Sequence, residues 1–215
     1  MITMQRFKTC ILALILICAL GGSAFASFDA RLGVSGYGGV AFCIPTADYL
    51  KTYPGDSSVQ MPAFRTSGSY GVDVELLQLR VGDESGAFYL GGGFSYVGVS
   101  QSIAYGASLL RPYSGLGGFV QLGGAFNELF SLGLLFRALY CNFPNVNQVF
   151  MAYEIEAVPT FDLATFGAID LSVVAPVTAS IKADAVTLRL SCGLKLSFSF
   201  GRLLENKEEN KGGQV

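Results

Sequence analysis

Between Val186 and Phe200 the chain alternates without a fault. Leu188, Leu190, Cys192, Leu194, Leu196, Phe198 and Phe200 are apolar, and Thr187, Arg189, Ser191, Gly193, Lys195, Ser197 and Ser199 are polar or glycine. Successive side chains of a strand point to opposite faces, so this stretch is a ribbon with one greasy side and one wet side. It is longer than the usual globular strand of about 5–6 residues. It fits the roughly 9–11 tilted residues that a strand needs to cross a bilayer.

The composition points the same way. Hydrophobic residues make up 51% of the 215 and charged residues 14%, against about 25% charged in a soluble domain. After residue 20 there is no apolar run near the roughly 20 residues of a membrane helix. Hydrophobicity dispersed as alternation, together with 27 glycines, suits a closed antiparallel transmembrane barrel in an all-β chain.

Eight strand-like segments can be drawn, at about 30–43, 65–81, 87–100, 113–126, 129–141, 149–162, 167–178 and 186–200. The connections alternate. Those at 82–86, 127–128 and 163–166 are short; those at 45–64, 101–112, 142–148 and 179–185 are mostly longer, and most prolines fall on that side. Short turns at one end and long loops at the other place both termini at the short-turn end when the strand count is even. Pro176 falls at a strand end, and Pro159 stands inside a segment, where it removes a ladder donor. Segment two opposes Tyr70, Val72, Val74 and Leu76 to Asp73 and Glu75. It then changes phase at Leu77, Leu79 and Val81, as a bulge would make it.

The first 26 residues have a secretory pattern: Arg6 and Lys8, an apolar run from Cys10 to Leu20, and the small-x-small site Ala24-Phe25-Ala26. We expect 1–26 to be a signal peptide, 27–201 the barrel and 202–215 a polar, disordered tail carrying the charge run Glu205 to Lys211. Cleavage removes Arg6 and Lys8 from the 14 basic residues, leaving 12 against 16 acidic. Three cysteines then remain, Cys43, Cys141 and Cys192, which is no disulfide framework, and without Cys-x-x-Cys or histidine no metal site is expected. No basic run suits nucleic acid. Gly36-x-Gly38-x-x-Ala41 matches a dinucleotide fingerprint in letters only, since no helix pattern follows. No cofactor is expected.

Ser191-x-Gly193-x-x-Leu196-x-Phe198, followed by Phe200, resembles the C-terminal signal that the barrel assembly machinery reads in outer-membrane β-barrel proteins. It departs from that pattern in continuing past the aromatic residue to Val215. The chain as a whole resembles the small eight-stranded barrels of the OmpA transmembrane domain, OmpX and OmpW group. That resemblance implies residence in the outer membrane of a diderm bacterium, with outer-membrane lipid and the assembly machinery as partners. The enzymes among outer-membrane barrels use a catalytic histidine, and this chain has none. Ser-His and Cys-His nucleophiles are excluded with it. No catalytic residue is expected.

With the polar face inward, the lumen collects Arg31, Asp73, Glu75, Arg137, Glu154, Glu156, Asp170, Arg189 and Lys195. Eight strands leave room for little beyond side chains, and buried charges must pair, so these nine are expected to form a salt-bridge network. Two functions stay open. One, implied by the OmpW resemblance, is a narrow channel for small hydrophobic solutes. The other is a structural or adhesive surface barrel, its lumen plugged, that meets host surface molecules through 45–64. A third reading is a soluble lipocalin-like carrier with the apolar face inward, since periodicity alone does not say which face is inside.

Overall fold

The computed structural model describes residues 27–45, 65–83, 86–100, 113–143, 148–181 and 185–204. The signal-peptide expectation, the loop 45–64 beyond Pro45 and the tail from 205 lie outside them.

The strands are β1 (Ser27–Pro45), β2 (Arg65–Asp83), β3 (Gly86–Val99), β4 (Tyr113–Ala125), β5 (Phe130–Phe143), β6 (Gln148–Phe166), β7 (Ile169–Val174), β8 (Val177–Ile181) and β9 (Ala185–Ser199). Each pairs antiparallel with its neighbours, and β9 returns to β1 over the register Arg31↔Ser199 to Pro45↔Ala185. β7 and β8 both lie between β6 and β9. They are two halves of one strand, so the ring has eight strands and closes.

The interruption of that strand has a chemical cause. Pro159 and Pro176 meet there. The Pro159 carbonyl accepts the Ala175 N–H at 3.0 Å, and the Pro176 carbonyl accepts the Ser191 N–H at 2.9 Å. Neither proline has an N–H to return, so the ladders on both sides of the strand lose a bond at adjacent residues. The sequence reading placed Pro176 at a strand end. It lies mid-strand instead, with pairing resuming as far as Ile181, which shortens the loop expected at 179–185. The seventh segment starts at Ile169 rather than 167, because Gly167 takes a φ of 62° to make the turn from β6. Between β4 and β5 the Asn127 side chain accepts the N–H groups of Leu129 (2.9 Å) and Phe130 (2.7 Å), a local bond that makes Asn a turn residue. The phase change in β2 is a register shift between Glu75 and Leu77. Leu76 and Leu77 both end up facing out, and Gln78 takes the inward place.

The two faces separate cleanly. Among the strand residues whose side chains are described no outward one is charged, and large apolar side chains cover the outside of every strand. Phe88, Phe126, Phe161 and Phe166 are exposed near the short-turn end, and Tyr70, Tyr96, Tyr140 and Tyr153 toward the other. Such a surface cannot face water over its whole circumference; it fits a bilayer crossed by strands. The inverted arrangement that a soluble carrier needs is not the one observed: Leu194 is 55% exposed and Ser197 only 8%.

Glycine is required where strands crowd. A Cβ on Gly193 would lie 2.1 Å from the Gly36 carbonyl oxygen and 2.6 Å from the Tyr37 Cα and Cβ. On the other side of Tyr37, a Cβ on Gly71 would meet its ring at 2.5 Å. Tyr37 thus lies between two bare backbones, its hydroxyl carried into the lumen.

Candidate functional site: the filled lumen

All nine charged residues picked out by parity point into the barrel, but they form three groups rather than one network. The central group is built around Arg137 of β5. Pairing sets Glu154 directly opposite it on β6 and puts Glu156, Thr178 and Arg189 in one cross-strand row. Asp73 of β2 arrives from across the lumen, beside its β3 partner Ser95.

The Arg137 guanidinium is fully engaged. It donates to Glu156 at 2.6 and 2.8 Å, to Asp73 at 2.7 Å, to Ser95 at 2.8 Å, to the Tyr37 hydroxyl at 2.9 Å and to Glu154 at 3.4 Å. Arg189 donates to Glu154, Thr178 to Glu156, and Ser95 to Asp73. The Arg137 side chain is 0% exposed, as are those of Glu154 and Glu156. Low surrounding polarity strengthens such bonds and makes any unpaired member costly.

The second pair lies nearer the short-turn end, where Lys195 meets Glu75 at 2.8 Å. The third group stands at that end of the lumen. Arg31 bridges Asp29 (2.6 Å) and Asp170 (3.0 Å), and Thr165 donates to Asp170 at 2.8 Å. Arg202 completes it. Its guanidinium lies beside the Asp170 carboxylate, which pushes its pKa above the ordinary arginine value.

Above the central group, toward the long loops, the lumen holds an apolar cluster beside the buried hydroxyls of Ser67, Ser69, Ser180 and Thr187. Ala41, Val97, Val99, Tyr113, Leu139, Cys141 and Ala152 pack into one buried cluster, with Phe150 against it. A second cluster of Phe119, Leu135, Val158 and Val174 lines one wall below Arg137. Two lumenal cavities lined by described residues are small. One, of about 20 Å³, touches that wall, Glu75 and Lys195; the other, of about 40 Å³, is lined by Arg31, Arg80, Asp162, Asp170 and Lys195, among others. These hold a few water molecules at most. Among the described residues no cluster of three metal-ligating groups occurs.

Parity alone missed several partners. Tyr37, Ser95 and Thr178 had the right parity but no charge, and Asp29, near the start of β1, was passed over. Arg202 was assigned to the tail. Of the terminal signal, Leu196 and Phe198 face outward and Gly193 abuts β1 at Tyr37. Phe200 is not the last strand residue: β9 ends at Ser199, and residues 200–204 form one helical turn, with Phe198 and Phe200 edge to face at 5.1 Å. The first three residues of the expected disordered tail therefore belong to a folded turn.

No family model matches the sequence, and no curated protein matches it. Among solved structures the chain is similar to Ail, the attachment invasion locus protein of Yersinia pestis, solved with the heparin analogue sucrose octasulfate. Identity is 12%, coverage 79% of this chain and 99% of that one, and the TM-score 0.38. It is similar to Neisserial surface protein A at 9% identity, covering 80% and 98%, with a TM-score of 0.37. It is also similar to the outer membrane protease OmpT of Escherichia coli at 9% identity, covering 83% and 99%, with a TM-score of 0.36. The closed ring rests on its own strand pairing, and none of the three lends a residue role to this chain.

Proposed function

We propose that this chain is a non-enzymatic, non-conducting barrel of the bacterial outer membrane, which holds its long-loop end at the cell surface and acts there in a structural or adhesive role. The observation that carries the reading is the double closure of the lumen: an apolar cluster from Ala41 to Ala152 lies over an ion-paired layer centred on Arg137. An ion crossing it has to shed water twice, first against apolar side chains and then against charges already paired with one another. The last strand, which carries Ser191, Gly193, Leu196 and Phe198, supports delivery by the barrel assembly machinery. Residues 1–26 supply export.

The narrow-channel reading has one observation in its favour, the apolar lumenal wall of Phe119, Leu135, Val158 and Val174. The cavity beside it, about 20 Å³, is too small for a solute larger than water. Reconstitution of the purified full chain in planar bilayers tests the proposal. A silent membrane under applied voltage is expected. Stable, well-resolved single-channel currents overturn the plug and restore the channel.

A further inference from the structure

The first and last strands do not end together. β9 stops at Ser199, opposite Arg31, whereas β1 begins at Ser27 and pairs with β2 from there, Ser27↔Gly82. Residues 27–30 thus have β2 on one side and no β9 partner on the other. A bare strand edge at the closing seam is a place where a ring can fray or accept a foreign strand.

The turn 200–204 lies against that edge. Asp29 accepts the Ser199 hydroxyl at 2.9 Å and the Gly201 N–H at 3.0 Å through the same carboxylate oxygen. Ser199 in turn accepts the Arg202 N–H at 3.2 Å, capping the turn. Arg202 then reaches to the opposite flank of β9 and forks both oxygens of Asp170 on β7, Nη2 to Oδ2 at 2.8 Å. The Ser199 N–H is bonded to the Ala168 carbonyl at 2.8 Å on that same flank. Arg31 joins the two acceptors, so Asp29 and Asp170 are held as a pair. β9 has two neighbours at this end, β1 and β7, and this short turn binds a carboxylate on each.

We propose that residues 200–204 are a strap that locks the closing seam. The continuation of the chain past the aromatic residue serves, in its first turn, to fasten the last strand to both neighbours once the ring has closed. The bidentate Arg202–Asp170 fork is the main grip, because two parallel charge-assisted bonds fix orientation as well as distance. The bonds of Ser199 and Gly201 to Asp29 are the second.

Native-state amide exchange of the full chain folded in lipid vesicles, read by mass spectrometry, tests this. Arg202→Ala should speed exchange at the seam, in peptides covering 27–35 and 193–199, by roughly two- to fivefold, the range for losing a partly exposed fork. Exchange in β4 and β5 should stay unchanged. Arg202→Lys, which keeps the charge and loses the fork, should fall between, and it decides the matter if Arg202→Ala does not fold. Truncation after Leu204 should leave the seam as in the full chain. An unchanged seam in the arginine variants overturns the proposal, as does equal acceleration around the whole ring. So does a truncated chain whose seam exchanges as fast as that of Arg202→Ala, because the grip would then belong to 205–215.

Discussion

Arg137→Ala removes the centre of the ionic layer. The wild-type guanidinium donates to five groups, three of them carboxylates, and its side chain has no exposure. Its loss leaves Asp73 and Glu156 facing one another with no cation between, and leaves Glu154 with Arg189 alone. Removing one member of a buried pair costs about 3–5 kcal/mol, and water entering the vacated space lowers that figure. We expect about 3 kcal/mol. With a urea dependence of about 1–3 kcal/mol per molar, the unfolding midpoint should drop by roughly 1–3 M. The assay is the folded fraction in lipid vesicles, read from the heat-sensitive gel mobility of membrane barrels. Lys195→Ala is the internal comparison. Its partner Glu75 borders a lumenal cavity, and the Lys195 side chain is 16% exposed, so water can meet the orphaned carboxylate and the loss should be about 1 kcal/mol. Arg137→Ala should also stay non-conducting, because the apolar cluster over it is untouched. A loss below 1 kcal/mol for Arg137→Ala, or an equal loss for the two variants, refutes the picture of a buried, ion-paired centre.

Leu194→Asp should destabilise far more than Ser197→Asp. The first puts a carboxylate in hydrocarbon, at a cost on the order of 2 kcal/mol, and the second puts it in the lumen near Lys195 and Arg31; urea titration in vesicles orders the two. Gly193→Ala should lower stability by about 1–3 kcal/mol, the range for overpacking, and slow folding, because its Cβ meets β1 backbone rather than a side chain that can swing away. Stopped-flow refolding into vesicles measures the second effect. Cleavage should follow Ala26, which N-terminal sequencing of the native protein checks; a mature chain starting at Met1 refutes it.

How much of this could be read from the sequence differs by strand. In β5, β6 and β9 the charged side chains report their face, and there parity placed Arg137, Glu154, Glu156, Arg189 and Lys195 inside, whereas the inward Leu135, Leu139 and Val158 carry no such signal. In β1, β3 and β4 glycine is frequent, so the pattern is blurred; Tyr37 became intelligible only beside Gly71 and Gly193. The grouping of charges was not legible at all. Which inward residue meets which depends on strand stagger around the ring, and Tyr37 reaches Arg137 across 100 positions of sequence. The bulge after Leu76 was legible because a one-residue insertion flips every later side chain. The break at Pro176 was misplaced because a proline within a paired strand and one at its end look alike in sequence. Arg202 was overlooked because alternation stops at Phe200, and a helical turn leaves no period-two signal.

The claim on which everything else depends is that the apolar face points to lipid and the charged face to the lumen. Single cysteines placed in turn at 194 to 199, in a chain freed of its native cysteines, can carry a fluorophore that a lipid-soluble quencher reaches and a water-soluble one does not. Labels at 194, 196 and 198 should be quenched from the lipid phase, and labels at 195, 197 and 199 should be protected from it. Quenching at the odd positions, or no alternation, contradicts the account.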